Sequence, residues 1–278
     1  MDIGIITNIE RKLTPGKSSG RRDTFVATAY RPNIENQIPV YFKLFDKLDT
    51  DRGIFNEIVG FHVARLCGLP VSRDTFVSIC DRTKIKGPAR CLQGRDASET
   101  HIRGVASIDS NPHKIKQLFD DFSVYETELL NWKQLAQVAV YDELMLNTDR
   151  TAYNLVRTNK NEYVIIDYEH VFGGAGWNIE LLEAQLTQPL NQNHLASLVT
   201  SGSNEFVSRR MMSVANEYIS RIKLTKDILD FEYDLESCCH LDKGTMEHIF
   251  YLLNKRIKML PELIHYHIQH GQLFYEES

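Results

Sequence analysis

The chain has 278 residues, 42% of them hydrophobic and 25% charged, enough for one large domain or two smaller lobes with cores of their own. A net charge of −5 argues against a dedicated nucleic-acid binder, and no apolar run nears the roughly 18 residues that suggest a membrane span. Five irregularly spaced cysteines do not make a disulfide scaffold.

In chain order, the opening MDIGIITNIERK begins with an acid and lacks the basic-then-apolar layout of a signal peptide, so a cytoplasmic location is expected. Residues 11–22, RKLTPGKSSGRR, hold five basic residues and no acid. Such a run is either a solvated loop or one that meets phosphate. It is not a Walker A loop, because Arg11 stands where the first glycine of G-x-x-x-x-G-K-[ST] belongs. DTFVATAYR (23–31) and IPVYFKLFD (38–46) carry β-branched and aromatic residues and are predicted strands, separated by a turn-prone PNIENQ. GIFNEIVGFHVARLCGLP places Ile58, Val59, Phe61, Val63 and Leu66 at helical spacing, with Gly-Leu-Pro as its stop. RDTFVSICD (73–81) and HIRGVASID (101–109) are further predicted strands, and residues 82–100 between them form a loop or irregular hairpin.

From about residue 109 the pattern turns helical. HKIKQLFDDF (113–122) predicts a short helix and YETELLNWKQLAQVAVYDELML (125–146) a long one. NLVRTNK and EYVIID predict a small hairpin, and the chain from 179 onward is mostly helical, ending in TMEHIFYLLNKRIKMLPELIHYHIQ. The expected fold class is α+β in two lobes with a cleft between them: a strand-rich N-terminal lobe over 1–108 and a helical C-terminal lobe over 109–278.

Four elements carry chemistry in an ordered spacing. Lys43 sits mid-strand, where a lysine among aromatic and aliphatic residues needs an edge position or an anionic partner. Glu57 follows on the next helix, Asp149 and Asn154 lie in LNTDRTAYNLV between helix and hairpin, and Asp167 ends the apolar strand YVII. Singly, these are a surface lysine, a solvated glutamate, and cap and turn residues. Together they suit ATP. The lysine can meet the α- and β-phosphates with the glutamate holding it. The Asp167 carboxylate and the Asn154 amide oxygen can converge on Mg²⁺, leaving Asp149 beside the attacking hydroxyl.

This order resembles the protein kinase pattern of strand Lys, helix Glu, D-x-x-x-x-N loop and metal Asp. NTDRTAYN after a long helix, VIIDYEHVF, and FNEIVGFHVARLCGLPV with its GLP exit are together similar to the HipA-like kinases, across about residues 25–172. The resemblance implies a two-lobed kinase-like fold, ATP with Mg²⁺, and transfer to a protein Ser or Thr; charge and hydropathy lead to the expectation of no direct nucleic-acid binding and no membrane. The resemblance assigns Asp149, Lys43 and Glu57 to catalysis and Lys43 to the nucleotide, which Ser18, Ser19 and Gly20 would join if the basic KSSGRR segment meets phosphate as a flexible Ser/Gly loop. It assigns Asn154 and Asp167 to the metal. Tyr168 stands where the family often has His, and Glu169 replaces the Gly of DFG, so activation-loop switching is not carried over.

Around the site, Asp142 is in register with Leu135, Val138 and Met145, so it points inward and needs a partner, for which Arg150 is placed. His170 either braces the strand end or contacts the loop, or else is a satisfied core histidine; Phe172 and Trp177 pack, and the glycines between them form a tight loop. Cys238 and Cys239 read as buried free thiols rather than metal ligands. Two rival functions remain at this level. A small-molecule phosphotransferase shares the D-x-x-x-x-N spacing but usually carries His-Gly where this chain has Asn147 and Thr148. A nucleotide-binding pseudokinase would act as an interaction module.

Overall fold

Strands β1 (Gly4–Lys12), β2 (Arg22–Arg31), β3 (Ile34–Phe45), β4 (Asp74–Asp81) and β5 (His101–Ile108) close into a barrel in the order β1-β2-β3-β5-β4 in the computed structural model. The structure describes residues 3–13, 22–32, 34–108, 116–117, 122–190, 193–201, 205–224 and 235–270. Every pairing is antiparallel except β1 with β4, which is parallel and closes the ring. The period-2 alternation of strands puts Val40, Phe42 and Leu44 of β3 inside, all fully buried, and turns Tyr41 and Lys43 to the other face. Phe25 and Phe76 join that interior. Each such aromatic contributes about 1.5–3 kcal/mol through the apolar area it removes from water.

Two features depart from the sequence pattern. β1 is a strand that the N-terminal residues do not announce, because bulges between Ile6 and Asn8 and between Ile9 and Arg11 break its alternation. The spacer PNIENQ is largely strand: β3 begins at Ile34, and the hairpin closes on the Arg31–Ile34 pair. Residues 82–100 are irregular as expected, with 3-10 turns at Arg82–Lys84 and Arg90–Leu92.

Helix α1 (Thr50–Leu66) is buried without a break from Gly53 to Ala64. Such a helix is not an amphipathic surface element; it is covered on one side by the barrel and on the other by later segments. Leu66, expected on the apolar face, is half-exposed at its end.

Beyond the barrel, β6 (Lys116–Gln117), β7 (Leu155–Asn159) and β8 (Glu162–Ile165) form a second sheet. The short helix expected over 113–122 is therefore corrected at 116–117, which are strand; Phe122 opens α2 (Phe122–Leu130), and the rest lies outside the described residues. The expected long helix is broken into α2 and α3 (Leu135–Met145). At the break Asn131 Nδ2 donates to the Thr127 carbonyl at 2.7 Å, drawing the chain out of helix, and Trp132 turns inward against Tyr163 at 5.3 Å between ring centres. α4 (Ile179–Gln185), α5 (His194–Ser201), α6 (Glu205–Arg221), α7 (Leu235–Cys239) and α8 (Lys243–His270) complete the helical part. The fold is thus mixed α+β, a strand-rich barrel followed by helices. No helix among the described residues is long and apolar enough to cross a membrane. All five cysteines are buried and none is in a disulfide, and no cluster of three or more His, Cys, Asp or Glu suited to a metal occurs among the described residues.

The helices meet at Glu143, fully buried on α3. Arg256 of α8 donates through Nη2 to its carboxylate at 2.6 Å, through Nε to its carbonyl at 2.9 Å, and through Nη1 to the carbonyls of Gln185, Leu186 and Gln188. His267 Nε2 stands 2.7 Å from the same carboxylate, and the Leu190 N–H donates to it at 3.0 Å. Burial alone would raise Glu143, but His267, Arg256 and that backbone N–H hold it below the usual glutamate range. The folded state therefore binds this proton less tightly than the unfolded chain. Its stabilisation is complete above the unfolded value of about 4.3 and is lost as pH falls through the lower folded value. Urea midpoints across that range should fall with pH in the native chain. Glu143→Gln should be weaker at neutral pH and show a shallower acid decline.

Candidate active site

A convergence of charges joins β3, α1 and the turn that follows β8. Lys43, paired in β3 with Thr24 and Val105, sends its ammonium across to α1, where it forms an ion pair with the buried Glu57 fourteen residues on. The same Nζ lies 3.1 Å from Asp167 Oδ1, across 124 residues of chain. The three side chains are 14%, 3% and 11% exposed, so Glu57 is buried while Lys43 and Asp167 still reach solvent.

Hairpin pairing brings the other residues there. β7 and β8 pair Leu155 with Ile165, and the Ile166 N–H donates to the Asn154 carbonyl at 3.0 Å, which sets Asn154 beside the approach to Asp167. Asp167 adopts a left-handed backbone, φ 67°, that turns the chain at the strand end; short Asp and Asn side chains tolerate that region best. Asn154 donates from Nδ2 to the Asp149 carbonyl, which makes Oδ1 its remaining hard donor atom. Mg²⁺ takes one or two protein oxygens and fills its octahedron with phosphate oxygens and water, so one carboxylate and one amide oxygen fit it. Glu57 and Asp167 both contact the single Lys43 ammonium, and the one excess negative charge of that group favours a cation here.

The segment between α3 and β7 is fixed from below. α3 ends on Leu146 in left-handed conformation, φ 51°, with the Asn147 N–H donating to the Asp142 carbonyl at 2.9 Å. Asp142 is fully buried and pairs with the equally buried Arg150: Nε and Nη2 donate to its carboxylate at 3.1–3.2 Å, and Asn147 Nδ2 adds a bond at 2.8 Å. Arg150 Nη1 also donates to the Ile166 carbonyl at 2.9 Å, tying this loop to the Asp167 turn. Burial pushes the Asp142 carboxyl up, and the guanidinium and amide beside it oppose the rise. Asp149 itself is 38% exposed; the bonds that hold the loop at 149 run through its backbone, and its Oδ2 lies 3.8 Å from His170 Nε2. The Thr148 N–H donates to the His170 carbonyl at 3.3 Å, so His170 touches the loop by ring and backbone.

Lys43, Glu57 and Asp167 thus form one contact group, with Asn154, Asp149 and His170 adjoining and Asp142 and Arg150 beneath. Ser18, Ser19 and Gly20 lie outside the described residues. Two side chains that the spacing does not single out belong to the surroundings of the site. Asn56 precedes Glu57 and reaches the segment after Asp167, and Trp177 does more than pack, since its Nε1 donates to Asn56 Oδ1 at 2.8 Å. An Asn among the apolar positions of α1 was the available signal for Asn56, and it did not extend to Trp177. No protein-family model matches the chain, and no curated protein matches it either.

Proposed function

We propose that the chain is an ATP- and Mg²⁺-dependent kinase of the HipA-like type, the barrel with α1 forming the small lobe and α2–α8 the large lobe of a protein kinase-like fold. The single observation that carries this is the Lys43 ammonium held between Glu57 and Asp167. In that position Lys43 would meet the α- and β-phosphates, with Glu57 keeping it aimed. Asn154 Oδ1 and the Asp167 carboxylate would hold Mg²⁺, which when bound neutralises charge on the phosphate oxygens. Asp149, exposed beside them, orients the acceptor hydroxyl and takes its proton as that oxygen bonds to the γ-phosphorus and the bond to the β-phosphate oxygen breaks, releasing ADP. A protein Ser or Thr is the proposed acceptor, on the resemblance of NTDRTAYN and VIIDYEHVF to HipA-like kinases.

Intact-mass spectrometry and ADP release, measured with Mg·ATP against protein substrates from a lysate, test this. The expected result is ADP formation with an 80 Da gain on a protein, that mass being the phosphoryl group gained in kinase chemistry of about this size. Asp149→Asn should lower the rate by about 10²–10⁴-fold, the range for a lost general base. Its fold should be untouched, because the loop's bonds there are backbone bonds. Nucleotide binding without ADP release above that of Asp149→Asn would leave an interaction module as the function. Transfer to small alcohols alone would leave a small-molecule phosphotransferase.

A further inference from the structure

Asn56 lies one residue before Glu57 and is fully buried. Its Nδ2 donates to the carbonyls of Glu169 at 2.7 Å and Val171 at 3.0 Å, and its Oδ1 accepts from Trp177 Nε1 at 2.8 Å. An asparagine amide has two N–H donors and one two-lone-pair acceptor. All of the bonds described for this one go to a single segment, the one that follows Asp167. One turn further along α1, Gly60 meets the same segment. A Cβ on Gly60 would stand 2.5 Å from Tyr168 Cβ, and the Tyr141 hydroxyl of α3 donates to the Gly60 carbonyl at 2.9 Å. Arg52, one turn before Asn56, lies over the Trp177 ring at 5.2 Å.

The segment tied down in this way is bracketed by two left-handed residues, Asp167 at φ 67° and Phe172 at φ 60°. Non-glycine residues in that region are costly and persist only where their surroundings over-determine them. Here α1 supplies the side-chain clamp on residues 169–171 through Asn56, beside the bonds that Arg150 and Thr148 make to Ile166 and His170 from the loop after α3. Glu57 and the Asp167 turn are consequently parts of one body, with Lys43 bridging them from β3.

We infer that Asn56 is the positioning residue of the proposed nucleotide site, fixing the Asp167 turn against α1 so that Glu57, Lys43 and Asp167 are aligned before any nucleotide arrives. This role rests on the kinase reading proposed above. Because every bond in the clamp is internal to the protein, α1 keeps its place whether nucleotide is bound or not. Loss of Asn56 lets the metal-bearing turn drift from Lys43, and the damage falls on metal-dependent binding in particular.

Calorimetry with the non-hydrolysable analogue AMP-PNP, in Mg²⁺ and in EDTA, tests the role on four chains: native, Asn56→Ser, Asp167→Asn and the double variant. The native chain should gain affinity from Mg²⁺. Asn56→Ser should lose about tenfold of that gain while its affinity in EDTA changes by less than about twofold, and in the Asp167→Asn background it should cost nothing more. A residue that only packs would lower the melting temperature and leave the Mg²⁺-to-EDTA ratio unchanged. That ratio in a folded Asn56→Ser chain would overturn the role and leave the kinase reading standing. Absence of AMP-PNP binding to the native chain overturns the kinase reading and the role with it. Amide hydrogen exchange on the native chain gives a result that does not depend on any variant folding. Protection of residues 50–66 and 169–174 should change by less than about threefold on adding Mg·AMP-PNP; a rise beyond about tenfold in α1 would mean that the helix docks on ligand binding, and overturns the role.

Discussion

Arg150→Met should destabilise the fold by about 3–5 kcal/mol, the cost of leaving a buried charge without its partner. The guanidinium is the only cation within hydrogen-bond reach of Asp142 among the described contacts, and neither side chain exceeds 1% exposure. Methionine fills much of the volume but leaves Asp142 with Asn147 as its side-chain donor, and it orphans the Ile166 carbonyl that Arg150 Nη1 now serves. Asp142 then either stays ionised in an apolar surrounding or takes up a proton, and both outcomes cost stability. The urea midpoint should fall accordingly. The double change Asp142→Leu with Arg150→Met should recover most of the loss, because removing both charges also removes their desolvation. If the single variant is within about 1 kcal/mol of native, the pair is solvated in solution and the loop is braced by something else.

This pair also shows what could be read from the chain alone. Asp142 sits in register with apolar neighbours on α3, and Arg150 lies eight residues on, so local periodicity was enough to suggest the contact. Lys43, Glu57, Asp149, Asn154 and Asp167 were legible by their order and spacing, since strand, helix, loop and hairpin each have short, regular geometry. β2, the end of β3, β4, β5 and the β7–β8 hairpin were legible by alternation. Other parts depend on distant partners. Glu143 gives no sign in sequence of Arg256, 113 residues away, or of His267, 124 away. Asn56 is one polar residue in a helix whose buried face runs all the way round, which a one-stripe helical pattern cannot describe. β1 was hidden by its two bulges, and the α2–α3 break by good helix formers on both sides of Asn131 and Trp132.

On the proposed kinase function, Asp167→Asn should cut metal-dependent turnover about 10³-fold while leaving the fold intact, a separation that follows from its backbone. Residue 167 is left-handed, and Asn accepts that conformation at least as well as Asp, so the turn carries no new strain. The amide oxygen can still accept from Lys43 Nζ, now 3.1 Å from Asp167 Oδ1, and Glu57 still neutralises the ammonium. What is lost is one full negative charge where Mg²⁺ and the phosphates would meet. The fall in kcat/KM should be about 10³-fold, comparable with removal of one strong electrostatic stabiliser from a transition state. Asp167→Val provides the contrast. It also removes the carboxylate, but a β-branched residue in the left-handed region adds strain of about 1–3 kcal/mol, so this variant loses stability as well as turnover. Equal melting temperatures for native and Asp167→Asn, with ADP release about 10³-fold slower in the second, are the expected pair of results. Turnover that survives Asp167→Asn within about threefold would remove this residue from the metal site, leaving its contact with Lys43 as a structural ion pair.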